Sequence, residues 1–502
     1  MAMEYDCIII GAGMGGLSCG LKLAAAGKKV LVLERQPVAG GVGTSFKRRG
    51  FTFEAALHYV DGLACGGGIR EFLDECGVSP KIDFIEFKEF GRVIYPQHDC
   101  VVKNDFISLE AMLKDAFPAE AEGINKFFCE INIFYRQFDN FMNSRIPYWL
   151  KMLALPVLYP QVIKASCLTL EQYITKKIKD RKLRSFLATI WGFVGVVPSE
   201  VSAFYFLIVL RSCWGENTAY IKGGFSKLFS AMTDRIREFG SEVRFNTQAT
   251  EILTDQGRCV KGVRTEKGEE FMAKAVISNA NAIDTLTKFI DYDAFKQTYA
   301  QKLSLLKKSI SAVMVYIGLN VPAKQIGMTC PVLSVNATYD HDEAFRRCLN
   351  NDYSHCNMAV VDHSQLDPGL APLGKSTLCV MTLASYASWD TLTTEEYKIK
   401  KKETADSIVA NLEKYLPGLS SHIEVMEAGT PKTIERFAAL PEGAIYGFSH
   451  IVAQSSLNRL SQATAVKGLF LTGAWTRPGG GVHACLVSGQ DAADLALKFL
   501  KK

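Results

Sequence analysis

The chain has 502 residues, enough for two substantial domains with their own cores. Hydrophobic residues make up 48%, which excludes general disorder, and a net charge of +5 with both signs dispersed is too slight to suggest a nucleic-acid partner. No two of the 14 cysteines lie within four residues of each other, so no C-x-x-C spacing is present for zinc, an iron–sulfur cluster or a thiol couple, and no metal is expected.

Asp6 to Arg35 reads DCIIIGAGMGGLSCGLKLAAAGKKVLVLER. Cys7 to Ile10 is an apolar run too short for a helix, and it ends directly on glycine, as a buried parallel strand does. Gly11, Gly13 and Gly16 fill the G-x-G-x-x-G pattern around Ala12 and Gly15. Leu17, Leu21 and Ala24 then continue at helical spacing, Gly27 closes the helix, and Val30 to Leu33 form a second apolar strand. Gly11 permits the tight turn, Gly13 lets backbone reach a pyrophosphate, and Gly16 lets helix and strand approach closely. The helix N-terminus offers unpaired N–H groups to the phosphates. Glu34, at the end of the second strand and followed by Arg35, is placed to accept hydrogen bonds from a ribose diol. Strand, triplet, helix, strand and acid in that order predict a Rossmann-type dinucleotide unit.

An NAD domain would normally continue into another crossover helix. This chain makes a glycine-rich excursion instead, Gln36 to Thr44 with Gly40 and Gly41. Gly50-Phe51-Thr52-Phe53-Glu54 and Leu57-His58-Tyr59 follow. Here the sequence resembles the FAD-dependent phytoene desaturase, carotenoid isomerase and retinol saturase group. Those enzymes carry a Gly-Gly pair after the ribose acid and then a Gly-Phe-x-Phe-Asp-x-Gly segment. The His-Tyr pair looks most like the retinol saturase branch, while Glu54 and Ala56 depart from the usual Asp and Gly. The resemblance implies FAD, with Gly40, Gly41, His58 and Tyr59 among the cofactor contacts.

Further along, the uncharged run Met152 to Ile163 has 12 residues and two prolines. A spanning helix needs about 20 apolar residues, so this segment cannot cross a bilayer. Arg145, Lys151 and Lys164 with Tyr148, Trp149 and Tyr159 suit an interfacial patch over residues 145–164; the alternative is an internal cap over the substrate cavity. Phe186 to Val197 and Phe204 to Leu210 are expected to line the core and a substrate tunnel. Lys176-Lys177 and Lys400-Lys401-Lys402 read as solvated helix faces.

Tyr220-Ile221-Lys222-Gly223-Gly224-Phe225 precedes a helix to Phe239, and turn-separated strands run on to Ser278-Asn279-Ala280. By the resemblance, the backbone of Ala249 lies beside the adenine. Glu442 to His450 resembles the family's Gly-x-x-Tyr-Gly segment on the substrate side of the flavin. Tyr446 and His450 could exchange protons with a carbon acid, as could Glu54 or Glu442 if burial raised their pKa values. The plainer reading is that Tyr446 packs and His450 is a solvated turn residue. Gly468 to Ala474 reads as a strand ending in the Gly473–Ala474 turn, and Gly479-Gly480-Gly481 leads through Val482 into a helix over 484–498. A glycine run before a helix start is an anion site; in flavoproteins of this build that helix points at the N1–C2 carbonyl edge of the isoalloxazine.

The expected fold is α/β. A Rossmann-type FAD domain of glutathione-reductase-like and amine-oxidase-like build collects residues 1–85, 220–285 and 435–502, and 86–219 with 286–434 form a discontinuous α+β substrate domain. The expected function is oxidoreduction at carbon–carbon bonds of an apolar isoprenoid or polyene lipid, by desaturation, saturation or redox-assisted isomerisation. A flavin amine oxidase shares this architecture. So does a flavin-free prenyl-lipid carrier of the Rab GDP-dissociation-inhibitor type. The early first strand leaves no room for a secretory signal, so the expected location is cytoplasmic with peripheral membrane contact. The electron partner is not legible.

Overall fold

The computed structural model describes residues 4–501 apart from 57–58, 88, 145, 147 and 216–217. In chain order, β1 (Glu4–Ile10), α1 (Met14–Ala25) and β2 (Val30–Leu33) come first, then β3 (Ser45–Arg48), β4 (Phe51–Glu54) and β5 (Val60–Asp61). A long excursion follows with β6 (Phe84–Glu86), β7 (Glu89–Tyr95), β8 (His98–Lys103), α2 (Ala121–Asn143), α3 (Tyr148–Leu158), α4 (Pro160–Cys167) and α5 (Ala203–Trp214). The chain returns through β9 (Thr218–Ile221), α6 (Ser226–Glu238), β10 (Glu242–Arg244), β11 (Ala249–Thr254), β12 (Val260–Thr265) and β13 (Glu270–Ser278). It leaves again for β14 (Ser311–Leu319), β15 (Val332–Val335), β16 (Met358–Val361), β17 (Ser376–Ala384), α7 (Thr394–Glu413), β18 (Ile423–Gly429) and α8 (Pro431–Ala438). β19 (Leu469–Leu471) and α9 (Val482–Leu500) finish the fold.

The first sheet runs β10-β2-β1-β13-β12-β11, with β19 also on β13. Its parallel strands carry apolar side chains on both faces, so Cys7, Ile8, Ile9 and Val30 to Val32 are all buried, as a sheet covered on both sides requires. β1 pairs with β2 on one side and with β13 on the other, which makes it central. β11, β12 and β13 form the antiparallel meander. α1 and α9 pack so closely that a Cβ on Gly489 would lie 1.9 Å from Ser18 Oγ and 2.3 Å from the Gly15 carbonyl oxygen. Ser18 Oγ donates to the Leu486 carbonyl at 2.9 Å, tying the two helices.

The second sheet runs β18-β14-β17-β16-β15-β7-β8 and is mixed, with β15 parallel to β7 and the other pairs antiparallel. Alternation gives it two apolar faces. Val313, Val315, Ile317, Leu378 and Val380 pack with Ile408 and Leu412 of α7. Ala312, Met314, Tyr316, Cys379 and Met381 pack with Phe51 and Phe53 of β4. The hairpin that follows the dinucleotide unit therefore sits on the second sheet.

In the 145–164 region the apolar face is exposed, but Lys151, Lys164 and Tyr159 are engaged within the protein. Leu153 is 73% and Val157 81% exposed, and Ile146, Leu150, Leu153 and Val157 recur at helical spacing. Tyr159, expected at the interface, is buried. Lys164 pairs with Glu130 at 2.9 Å, and Lys151 Nζ donates to the Phe141 carbonyl at 2.7 Å, so neither cation stands free for phosphates. Arg145 and His58 lie outside the described residues, as do the side chains of Tyr148 and Trp149. Among the described residues no helix is long and apolar enough to cross a membrane. Lys177 is not a solvated residue: its side chain is 5% exposed, meets Glu130 at 3.0 Å and lies 3.8 Å over the Tyr173 ring. Lys400 likewise folds back to donate to the Ser388 carbonyl at 2.7 Å.

Candidate functional site

Three glycine turns converge at the carboxyl ends of β1, β13 and β19, the edge at which open α/β sheets bind ligands. Gly11 leaves β1 at φ +94°, and a Cβ on Gly16 would stand 2.0 Å from the Gly11 carbonyl oxygen. Gly40 and Gly41 have φ of 122° and 59°, and the Gly40 N–H donates to the Ala12 carbonyl at 2.9 Å, so the second glycine pair folds onto the first loop. Gly473 follows β19 at φ +90°. The Asn279 carboxamide stands among these turns, 2.6–2.9 Å from where a Cβ on Gly13, Gly15 or Gly473 would be. The Asn279 backbone N–H donates to the Ile10 carbonyl at 2.8 Å. Asn279 received no site role from the sequence. The available signal was its place directly after a strand that ends beside Gly11.

Glu34 is buried, with Oε2 accepting from the Ala12 N–H at 2.7 Å and Oε1 from the Gln36 N–H at 2.8 Å. Burial raises its pKa despite these two bonds. Each carboxylate oxygen keeps a lone pair for a hydroxyl donor. Arg35 turns to the end of α8, where Nη2 donates to the Arg436 and Phe437 carbonyls at 2.8 and 2.7 Å. Ala249 opens β11, buried opposite Thr265.

Neither α1 nor α9 has a side-chain N-cap or an acid in its first turn, which leaves N–H groups at both helix starts for an anionic or carbonyl ligand. Gly481, at φ +99°, caps α9, and Val482 is its first residue. Ahead of it His450 is 0% exposed, not a solvated turn residue. Its ring stacks on Tyr205 with centroids 3.5 Å apart, and a Cβ on Gly479 would lie 2.2 Å from it. Burial and the Arg459 charge hold its pKa well below the usual 6.5, so the ring is neutral at pH 7. Arg459 is itself buried and donates to the Phe448 carbonyl at 3.0 Å, the Ala474 carbonyl at 2.5 Å and the Thr476 carbonyl at 2.9 Å. His450 and Arg459 brace the loops before α9.

Tyr446 is half-buried, and its hydroxyl donates to the Gly192 carbonyl at 3.3 Å; burial raises its pKa, so it stays protonated. Glu54 is buried with both oxygens engaged: Oε1 accepts from Tyr220 at 2.6 Å and the Phe225 N–H at 3.1 Å, and Oε2 from Ser45 at 2.9 Å. It ties β4 to the Gly223–Gly224 turn. Glu442 is exposed and paired with Lys308. The Tyr59 ring meets Phe87 and Phe193 edge-on at 5.5 and 6.3 Å.

An Asp–His pair that the sequence did not announce lies at the start of α9. His483 Nδ1 contacts Asp61 Oδ2 at 2.6 Å, and Ser212 Oγ donates to the same oxygen at 2.8 Å. Burial pushes the Asp61 carboxyl up, but the His483 charge and the bonds from His483 and Ser212 hold it below its ordinary 3.8. Burial pushes His483 down, but Asp61 lifts it above 6.5.

The glycine clearance, Glu34 and the two uncapped helix starts fit the pyrophosphate, ribose and ring carbonyl of FAD. A family model described as flavin containing amine oxidoreductase matches residues 14–497, and the chain belongs to that family. It is 30% identical to prolycopene isomerase 1, chloroplastic, of an Oncidium hybrid cultivar, over 99% of this chain and 85% of that protein. It is 27% identical to all-trans-retinol 13,14-reductase of Danio rerio, over 94% of this chain and 82% of that one. Cyclohexylamine oxidase from Brevibacterium oxydans IH-35A shares the fold, with a TM-score of 0.64 at 14% identity and 100% of both chains covered. The chain is a FAD-dependent oxidoreductase of the amine-oxidase-like α/β fold.

The Asp61–His483 pair gives a pH prediction. The Asp61 contribution to stability is complete above about 3.8 and is lost as pH falls through its lowered folded value. The His483 contribution is complete below about 6.5 and is lost as pH rises through its raised folded value. Thermal unfolding of the native protein and Asp61→Asn should therefore differ most between about pH 4 and 6.5, and the gap should narrow at alkaline pH. A gap of constant size from acid to alkali would show that the pair is not ionised.

Proposed function

We propose that this enzyme acts on carbon–carbon bonds of an apolar isoprenoid or polyene lipid, by desaturation, saturation or redox-assisted isomerisation. The observation that carries this reading is the wall supplied by the second sheet and the hairpin seated on it. Phe193 and Met381 face the space between this sheet and residues 189–193, and the buried Phe51, Phe53 and Met314 back them as closed packing. Such a wall excludes water and offers a hydrocarbon close packing, while FAD, when bound, supplies a two-electron donor or acceptor. Two relatives point the same way through their names, a prolycopene isomerase and a retinol reductase. A flavin amine oxidase shares the fold, but nothing in this wall addresses a nitrogen. A flavin-free carrier would have no use for Glu34, buried at the strand end with lone pairs to spare. Anaerobic incubation with retinoid, carotenoid and polyprenyl lipids, followed by mass analysis, tests the proposal. A product two mass units heavier or lighter, or an isomer of equal mass, is expected from at least one of them, and oxidation of simple amines alone would overturn it.

Residues around 145–164 serve, in this reading, as the contact with a membrane that holds the substrate. A long apolar molecule dissolves poorly in water, and each methylene kept out of it contributes about 0.8 kcal/mol. The face of Leu150, Leu153 and Val157 is exposed and apolar, so insertion rests on apolar area with little help from the flanking lysines. A Leu153→Glu, Val157→Glu double variant should bind neutral vesicles less and turn over vesicle-borne substrate more slowly, with FAD content unchanged. Undiminished vesicle binding would move the entry route elsewhere.

A further inference from the structure

We propose that the substrate carries an uncharged oxygen at one end and that Asn336 and Asn357 receive it, an inference that rests on the polyene reading above. A cavity of about 50 Å³ lies between the second sheet and the short helix Thr189–Phe193. A water needs about 10–15 Å³ of such space, so the cavity takes a few water-sized groups, an end group and not a long chain. The register of β15 on β16 sets Val335 opposite Met358, and both side chains pack toward α7. Alternation then turns the next residues, Asn336 and Asn357, with Ser334, to the other face, where the cavity is.

The buried Asn336 carboxamide and the half-buried Asn357 carboxamide are both weakly satisfied. Asn336 is 3% exposed, yet its NH₂ reaches the Ile94 carbonyl and Ser334 Oγ only at 3.4 Å. The Asn357 NH₂ reaches Asn336 Oδ1 at 3.4 Å, while Asn357 Oδ1 accepts a better bond from the Ala337 N–H at 3.0 Å. Ordinary N–H···O bonds span 2.7–3.2 Å, so the spare capacity is in donors. An acceptor oxygen entering the cavity would take it up. No lining residue of the cavity is charged, so a carboxylate would be buried without compensation. A hydroxyl or carbonyl meets both conditions. Thr189 and Thr382 are among the other lining residues, and the apolar side chains of Trp191, Phe193, Met381 and Leu383 beside them suit the hydrocarbon next to that oxygen; Phe193 leads on to Tyr59 at 6.3 Å between rings.

Binding to the FAD-loaded protein, read by tryptophan quenching, tests this with four probes of one skeleton: retinol, retinal, retinoic acid and the matching hydrocarbon. Retinol and retinal should bind at least about 10-fold tighter than the acid or the hydrocarbon, the size of one good hydrogen bond kept or lost. Asn336→Leu with Asn357→Leu should erase that preference and keep the hydrocarbon affinity and the flavin content. Equal affinity of the native protein for retinol and hydrocarbon overturns the inference without any variant, and so does a preference that survives in the variant. Affinity for none of the four, together with no turnover of any polyene, would remove the polyene reading and this inference with it.

Discussion

A Cβ on Gly16 would stand 2.0 Å from the Gly11 carbonyl oxygen, and one on Gly489 would stand 2.3 Å from the Gly15 carbonyl oxygen. Both distances are far inside van der Waals contact, so β1, α1 and α9 can only meet as they do without side chains at these points. That clearance sets the rest of the arrangement. It brings the start of α1 to the end of β1 and lets α9 lie along α1. Gly40, Gly41 and Gly473 then have room around the same edge. With the Asn279 carboxamide standing among the turns, this edge presents chiefly backbone N–H, and an extended diphosphate is a natural occupant.

Around that bare edge the chain places dense polar bracing. Arg459 holds two loops by three carbonyls, His450 fills the space beside Gly479 as a neutral ring, and Glu54 closes the Gly223–Gly224 turn. Buried groups of this kind stabilise little net but are costly to leave unpaired. Their effect is to fix the loops before α9 and beside β4 in single positions, which a site that must align a ring system with a carbon chain requires. The face of the second sheet that meets β4 is built on a different plan, with apolar packing of Met314 and Met381 on Phe51 and Phe53, and the Asn336–Asn357 pair lies beside it with Ser334 and Thr382.

How much of this was legible in the sequence follows from separation along the chain. The first strand, glycine loop, helix and second strand fall within thirty-odd residues, and their signals are local: apolar run, glycine spacing, helical periodicity. The C-terminal strand, its glycine turns and the following helix were readable for the same reason. Contacts that join distant segments left no such mark. Asp61 meets His483 across 422 positions, and β7 pairs in parallel with β15 from the other excursion. Local composition also misled in places. His450 looks like a turn residue beside glycines and serine, but Tyr205 and Arg459 enclose it. Lys151, Lys164 and Lys177 read as surface charge until Phe141 and Glu130 are brought to them by packing.

The central claim is that the glycine-cleared edge and Glu34 hold FAD without a covalent bond. Titrating FAD into the stripped native protein and into Glu34→Ala, with heat release of the flavin afterwards, measures this directly. The account predicts stoichiometric uptake by the native chain and flavin recovered in the supernatant after denaturation. It also predicts binding about 10- to 150-fold weaker in a variant that still folds, the roughly 1.5–3 kcal/mol of hydrogen bonds to a charged acceptor. A native protein that takes up no FAD, flavin that stays with the precipitate, or equal affinity in the variant would contradict it.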